Sequence, residues 1–140
     1  MKFANLKSVD GGNATTEKDF EIFKVEAMYW IKKLGMVDWE WFFQWDETED
    51  RANVSYEISD MMAIVTFSKN WTDLEPTPYQ VRKCAYHEIQ KVFLGTVATY
   101  AVNRQISAEA LQNIMHRMIR TMENVYFDDD YSRRFKYPKE

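Results

Sequence analysis

The spacing of apolar residues changes twice along this chain, and these changes restrict the folds open to it. In residues 17–34, apolar side chains recur every three or four positions, as one buried face of a helix requires. From Trp39 to Trp45 the period becomes two, which is typical of a strand with one buried face. Strand-like runs follow at 53–58 and 61–69, and helical spacing returns from Pro78. This order predicts an α+β domain with helices on one face of a small, mainly antiparallel three-stranded sheet.

Polar residues at the ends of these runs predict where the helices begin and end. Thr15 or Thr16 is expected to cap the first helix, and Gly35 is a suitable stop for it. Pro78 after Thr77 predicts the start of a second helix that reaches about residue 101. Ser107 is expected to cap the last helix.

Short connections between the three strands favour an antiparallel meander. Residues 1–16 are expected to form a flexible leader and 17–127 a single domain, with an irregular tail at 128–140. The tryptophans of the first strand are expected to pack under the first helix. The stripe on the last helix is interpreted as core or as an adaptable groove for a partner; it comprises Leu111, Met115, Met118, Met122 and Val125.

Composition excludes several classes of protein. The chain has 140 residues, 46% of them hydrophobic, which suits one domain with one core. Cys84 is the only cysteine, so a disulfide framework is impossible within one chain and a reducing cytoplasm is the expected location. A net charge of −4 gives no indication of nucleic-acid binding. No apolar run has the length of a membrane span, and the first residues lack the apolar region of a secretory signal.

Acidic residues are concentrated in the strand region. Eight acids and one base, Arg51, lie between Asp38 and Asp60. This region is interpreted as solvated turns or as an acidic patch for a basic partner.

Both histidines of the chain lie on predicted helices. The stretch "AYHEIQKVFL" at 85–94 places His87 and Glu88 next to each other, with Lys91 one turn on. On the last helix, His116, Arg120 and Glu123 follow at spacings that put them on one line. If the two helices pack by their apolar stripes, these polar lines are expected to face each other.

Together these pieces resemble the small phage-encoded zincin-like metallopeptidase domains. The matching segments are "AYHE" at 85–88 and "HRMIRTMEN" at 116–124, in the same order of helices and strands, over roughly residues 17–127. The resemblance implies that His87 and Glu123 are zinc ligands, that Glu88 is the general base, and that Arg120 supports the site. It also implies a host cytoplasm as location and a peptide substrate or protein partner.

Lys91 is where the chain departs from that family, which has the second histidine ligand there. A protonated lysine has no lone pair for a metal. Either His116 or Cys84 substitutes as a ligand and zinc is bound, or the Lys91 ammonium replaces the charge of the metal by pairing with Glu88 or Glu123. The second alternative predicts a fold without a metal and without peptidase activity.

Two functional hypotheses therefore remain. The first is a zincin-like metallopeptidase scaffold with an incomplete metal site and impaired activity. The second is a non-catalytic binding or virion-associated accessory protein that uses the acidic strand region or an aromatic surface of the same scaffold.

Overall fold

The computed structural model describes residues 12–95 and 107–136 and has the predicted α+β architecture. None of the helices in these ranges has the length and hydropathy needed to span a membrane. The predicted leader before residue 12, the extension of the second helix to 101, and the side chains of Met118 and Val125 lie outside the described residues. In chain order the elements are β1 (Asn13–Ala14), α1 (Glu17–Lys33), β2 (Glu40–Asp46), β3 (Ala52–Glu57), β4 (Met62–Ser68), β5 (Asn70–Trp71), α2 (Pro78–Phe93), α3 (Ala108–Met122), a π-helical segment (Glu123–Phe127) and α4 (Asp128–Phe135).

The predicted helix caps are confirmed. Thr16 and Asp19 form a reciprocal capping box at the start of α1, with N–O distances of 3.1 and 3.0 Å. Gly35 follows the last turn of α1 with φ of 72°, a conformation that glycine adopts without strain. The hydroxyls of Thr77 and Ser107 accept hydrogen bonds from backbone N–H groups in the first turns of α2 and α3.

The predicted meander is wrong, because β4 lies between β2 and β3. It pairs in parallel with β2 and antiparallel with β3, so the sheet is mixed. The run "MAIVTFS" of β4 is the most apolar of the three strands, and the central position is where neighbours cover both of its edges. The more polar alternation of β2 and β3 suits edge strands.

Helices α1 and α2 cover one face of this sheet and build the main core with it. Phe23 of α1 packs on Phe67 of β4 with ring centroids 4.8 Å apart. Phe20 stacks on Trp45, so the tryptophans of β2 pack under α1 as predicted. The two short strands β1 and β5 form a separate antiparallel pair, which connects the start of α1 to the segment that follows β4.

The irregular tail predicted from residue 128 is instead helical up to Phe135. Tyr131 of α4 is buried in the main core, together with Phe127 from the π-helical segment. Buried aromatic side chains at this spacing explain why the helix continues, since burial of apolar surface outweighs the poor propensity of "DDD" for a helix interior.

A buried ion pair joins α4 to α1. The carboxylate of Glu26 is 2% exposed and accepts hydrogen bonds from two nitrogens of Arg134, at 2.7 and 3.2 Å. The indole Nε1 of Trp30 donates to the same carboxylate at 2.7 Å, and Arg82 Nε lies 3.9 Å from it. Glu26 therefore has its charge and its lone pairs compensated by three neighbouring side chains.

We predict that Arg134→Met destabilises the protein by about 3 kcal/mol, because the buried carboxylate of Glu26 then loses its bidentate partner. Chemical denaturation monitored by circular dichroism measures this change. Arg133→Met is the matched control, since Arg133 is the adjacent arginine, has a side chain that is 74% exposed, and pairs with Asp129 on the surface. Equal losses of stability in the two variants would contradict the proposed importance of the buried pair.

Asp130 makes the stability of this junction depend on pH. Burial opposes its ionisation, but the hydrogen bonds from Lys33 and Arg134 hold its pKa below the ordinary value of 3.8. A carboxyl with a depressed folded-state pKa contributes stability above its unfolded pKa and loses it as pH falls through the folded value. We expect the unfolding free energy of Asp130→Asn to fall less steeply than that of the native protein as the pH drops below about 4. Asp129→Asn, on the exposed side of α4, should leave the pH dependence of the native protein unchanged; a flattened curve for this control would refute the assignment.

Candidate functional site

A polar cleft of about 680 Å³ lies between two helices and two loops. The helical wall is formed by α2 and α3. The loop wall is formed by residues 49–51, between β2 and β3, and by residues 72–73, after β5. This volume is within the range of small-molecule sites.

One flank of α2 supplies the side chains predicted for a site. Cys84, His87, Glu88 and Lys91 line the cleft, at positions one helical turn apart or adjacent. The neighbouring face of the same helix, with Val81, Ala85, Ile89 and Val92, is buried in the core. The packing of α2 on the sheet therefore determines which way the polar flank points.

His87 contacts Glu123 across the two helices. The distance from His87 Nδ1 to Glu123 Oε2 is 2.7 Å, and Glu123 is only 6% exposed. An ionised carboxylate only accepts hydrogen bonds, so with Glu123 ionised the proton is on His87 Nδ1, which donates the hydrogen bond to Glu123 Oε2. Glu123 thereby fixes the orientation of the His87 ring.

The π-helical segment keeps Phe127 and Tyr131 on the same face as Glu123. Buried residues recur at intervals of four from Leu111 to Tyr131, and Glu123 is one of them. In a regular α-helix each such interval turns the buried face by about 40°. At Glu123 the chain changes to wider turns, where the Asp128 N–H donates to the Glu123 carbonyl. This change lets Glu123 and the aromatic residues after it remain on one face.

Lys91 points at Glu88. Its Nζ lies 3.3 Å from Glu88 Oε1, while Glu123 is occupied by His87. Burial raises the pKa of Glu88, and the positive charges of Lys91 and His87 oppose that rise. Glu88 is 4% exposed, and its Oε1 has no aligned hydrogen bond within the described residues despite the close ammonium.

His116 and Arg120 lie on the same wall as His87. The rings of His87 and His116 are 5.7 Å apart between centroids. Burial, followed by the positive charges around it, lowers the pKa of His116. Arg120 lines the cleft with its side chain exposed, and the described residues show no ion pair between it and Glu123. The structure thus brings all six predicted site residues to one cleft.

These residues do not fit the zinc centre implied by the family resemblance. The resemblance assigns position 91 to the second histidine ligand, but Lys91 pairs with Glu88 and its protonated ammonium has no lone pair to offer. Within residues 12–95 and 107–136, no group of three histidine, cysteine, aspartate or glutamate side chains has an arrangement suited to a metal ion. A tetrahedral zinc site needs at least three protein ligands.

The loop wall carries site residues that the sequence did not single out. Glu49, Asp50 and Asp73 line the cleft opposite the helices, and Arg51 pairs with Asp73 at 3.2 Å. Lys83, two turns before Lys91 on α2, also lines it. The density of acids in "DETED" is visible in the sequence, but its position against α2 depends on the tertiary fold.

Cys84 is predicted to be unreactive, because burial raises the pKa of its thiol to about 12. Alkylation of the native protein at pH 8 should be about 100-fold slower than alkylation of the same thiol in the unfolded chain, since little thiolate is present. Iodoacetamide labelling followed by mass spectrometry measures both rates. Faster labelling of the native protein would instead indicate a cysteine activated by His87.

Comparisons with known proteins assign no function to the chain, so its function is inferred from the geometry of the cleft. No family model, curated protein or solved structure matches the chain. The zincin-like relationship therefore stays a prediction from the sequence segments around His87 and His116.

Proposed function

We propose that this protein is a zincin-like scaffold that binds a ligand in its polar cleft without a metal and without hydrolysing peptides. The observation that carries the proposal is the contact of 3.3 Å between Lys91 Nζ and Glu88 Oε1. In the family that the sequence resembles, Glu88 would polarise the attacking water and position 91 would bind the metal. Here these two side chains pair with each other.

Electrostatics support this interpretation. Zinc would bring positive charge to a site with two buried carboxylates, Glu88 and Glu123. The ammonium of Lys91 supplies a positive charge beside the first, and the ring of His87 donates to the second. Each carboxylate therefore has a partner from the chain itself, and the fold does not depend on a metal to neutralise it.

A second candidate function is binding of a basic protein partner on the outer face of the sheet. Phe42 of β2 is 46% exposed there, and Met61, in the turn that leads into β4, is 40% exposed. The strand register places Glu40 and Glu57 on either side of Met62, so acids flank this apolar strip. A basic, partly apolar surface would complement it.

We predict that the purified protein contains less than about 0.1 zinc per chain and that Lys91→His raises this to about one, because the variant restores two histidines one helical turn apart. Elemental analysis after gel filtration measures the metal content. Phe93→His is the matched control, since it adds a histidine at an exposed position of α2 that is six residues from His87 and therefore lacks the one-turn spacing.

Stoichiometric zinc in the native protein, removed by His87→Ala, would refute the proposal. So would turnover of a peptide library by the native protein that Glu88→Gln abolishes. Zinc gained equally by the two histidine variants would show only that added histidine binds metal, and would remove the support that Lys91 gives.

A further inference from the structure

Two ion pairs and one histidine–carboxylate hydrogen bond involve much of the charge in the cleft. Arg51 pairs with Asp73, Lys91 with Glu88, and His87 with Glu123. Four charged side chains remain that have no ion pair in the described part of the chain: Glu49 and Asp50, and Lys83 and Arg120.

These four side chains are separated by sign. Glu49 and Asp50 lie on the loop between β2 and β3, whereas Lys83 and Arg120 lie on the two helices of the facing wall. The loop wall therefore presents uncompensated negative charge and the helical wall presents uncompensated positive charge. A ligand that complements both walls carries a positive group at one end and a negative group at the other.

The walls of the cleft contain little apolar surface. Among the residues that the structure describes, Ala52 and Cys84 are the only side chains of apolar type that line it, and none of the described lining residues is phenylalanine, tyrosine or tryptophan. Nucleobases, lipid tails and apolar peptide side chains are recognised by aromatic or aliphatic walls. The cleft therefore favours a small ligand that is polar along its length.

Glu88 and Lys91 are not assigned to the ligand, because they pair with each other. The Nζ of Lys91 lies 3.3 Å from the Oε1 of Glu88, and that oxygen is fully buried. The charges open to a ligand are therefore those of Glu49, Asp50, Lys83 and Arg120.

We propose that the cleft binds a small zwitterion, with its ammonium group at Glu49 and Asp50 and its carboxylate at Lys83 and Arg120. The inference rests on the proposed function, since it requires a cleft without a metal. Free amino acids and ω-amino acids belong to this chemical class.

Isothermal titration of the native protein with glycine, β-alanine, 4-aminobutyrate and 6-aminohexanoate tests this proposal. Because the acidic and the basic side chains are held on opposite walls of the cleft, the ligand with one particular separation between ammonium and carboxylate should bind most tightly. N-acetylation and C-terminal amidation of that ligand should each weaken binding by about 10-fold, since each removes one charge.

Two variants test which side chains bind each charged end of the ligand. Arg120→Gln should weaken binding of the free acid about 10-fold and leave binding of its amide unchanged. Asp50→Asn should weaken binding of the free amine by a similar factor and leave binding of the N-acetyl form unchanged. Arg133→Gln and Asp60→Asn are matched controls outside the cleft, and both are expected to bind like the native protein.

Equal binding of free and capped ligands would overturn the zwitterion assignment. So would the absence of binding of all four ligands at about 10 mM, since a dissociation constant above that concentration is too weak for a specific site. Metal content separates this failure from failure of the proposed function. If the native protein lacks zinc and Lys91→His gains it, the metal-free scaffold stands and only the ligand class is wrong. If the native protein contains stoichiometric zinc, both proposals are wrong.

Discussion

A carboxylate that is buried away from water needs a partner. The contact of Glu123 with His87 joins the two helices that form the helical wall of the cleft. His87 comes from a helix held by the sheet, while Glu123 comes from a helix that continues into the main core through Phe127 and Tyr131. Their contact is made only when both helices are packed. Lys91, one turn after His87 on the same helix, pairs with Glu88 and not with Glu123.

The parts of the fold that depend on local interactions were predictable. Thr16, Thr77 and Ser107 cap the helices as expected, since capping involves only residues within one turn. The order of the strands was not, because pairing β2 with β4 requires contacts between distant residues. The helical tail was also missed. Its stability comes from burial of Tyr131 and from the pairing of Arg134 with Glu26, neither of which appears in a local pattern.

The candidate site was predictable to a different degree on its two walls. Helical spacing alone placed His87, Glu88 and Lys91 on one flank, and the structure confirms that His116, Arg120 and Glu123 line the same cleft. Spacing left two acids open to Lys91, and only the packed structure distinguishes them. The loop wall had no sequence signal beyond its acid content, because a loop carries no periodicity that indicates its direction.

The distribution of tryptophan has a consequence for spectroscopy. All five tryptophans, Trp30, Trp39, Trp41, Trp45 and Trp71, pack in or against the main core, and none lines the cleft. Their emission therefore reports whether α1, α2 and the sheet are assembled. Trp71 is close to the cleft, because the guanidinium of the lining residue Arg51 lies 5.7 Å from the centroid of its ring. A ligand that displaces Arg51 is therefore expected to change the emission of one tryptophan of the five, whereas unfolding changes the emission of all of them.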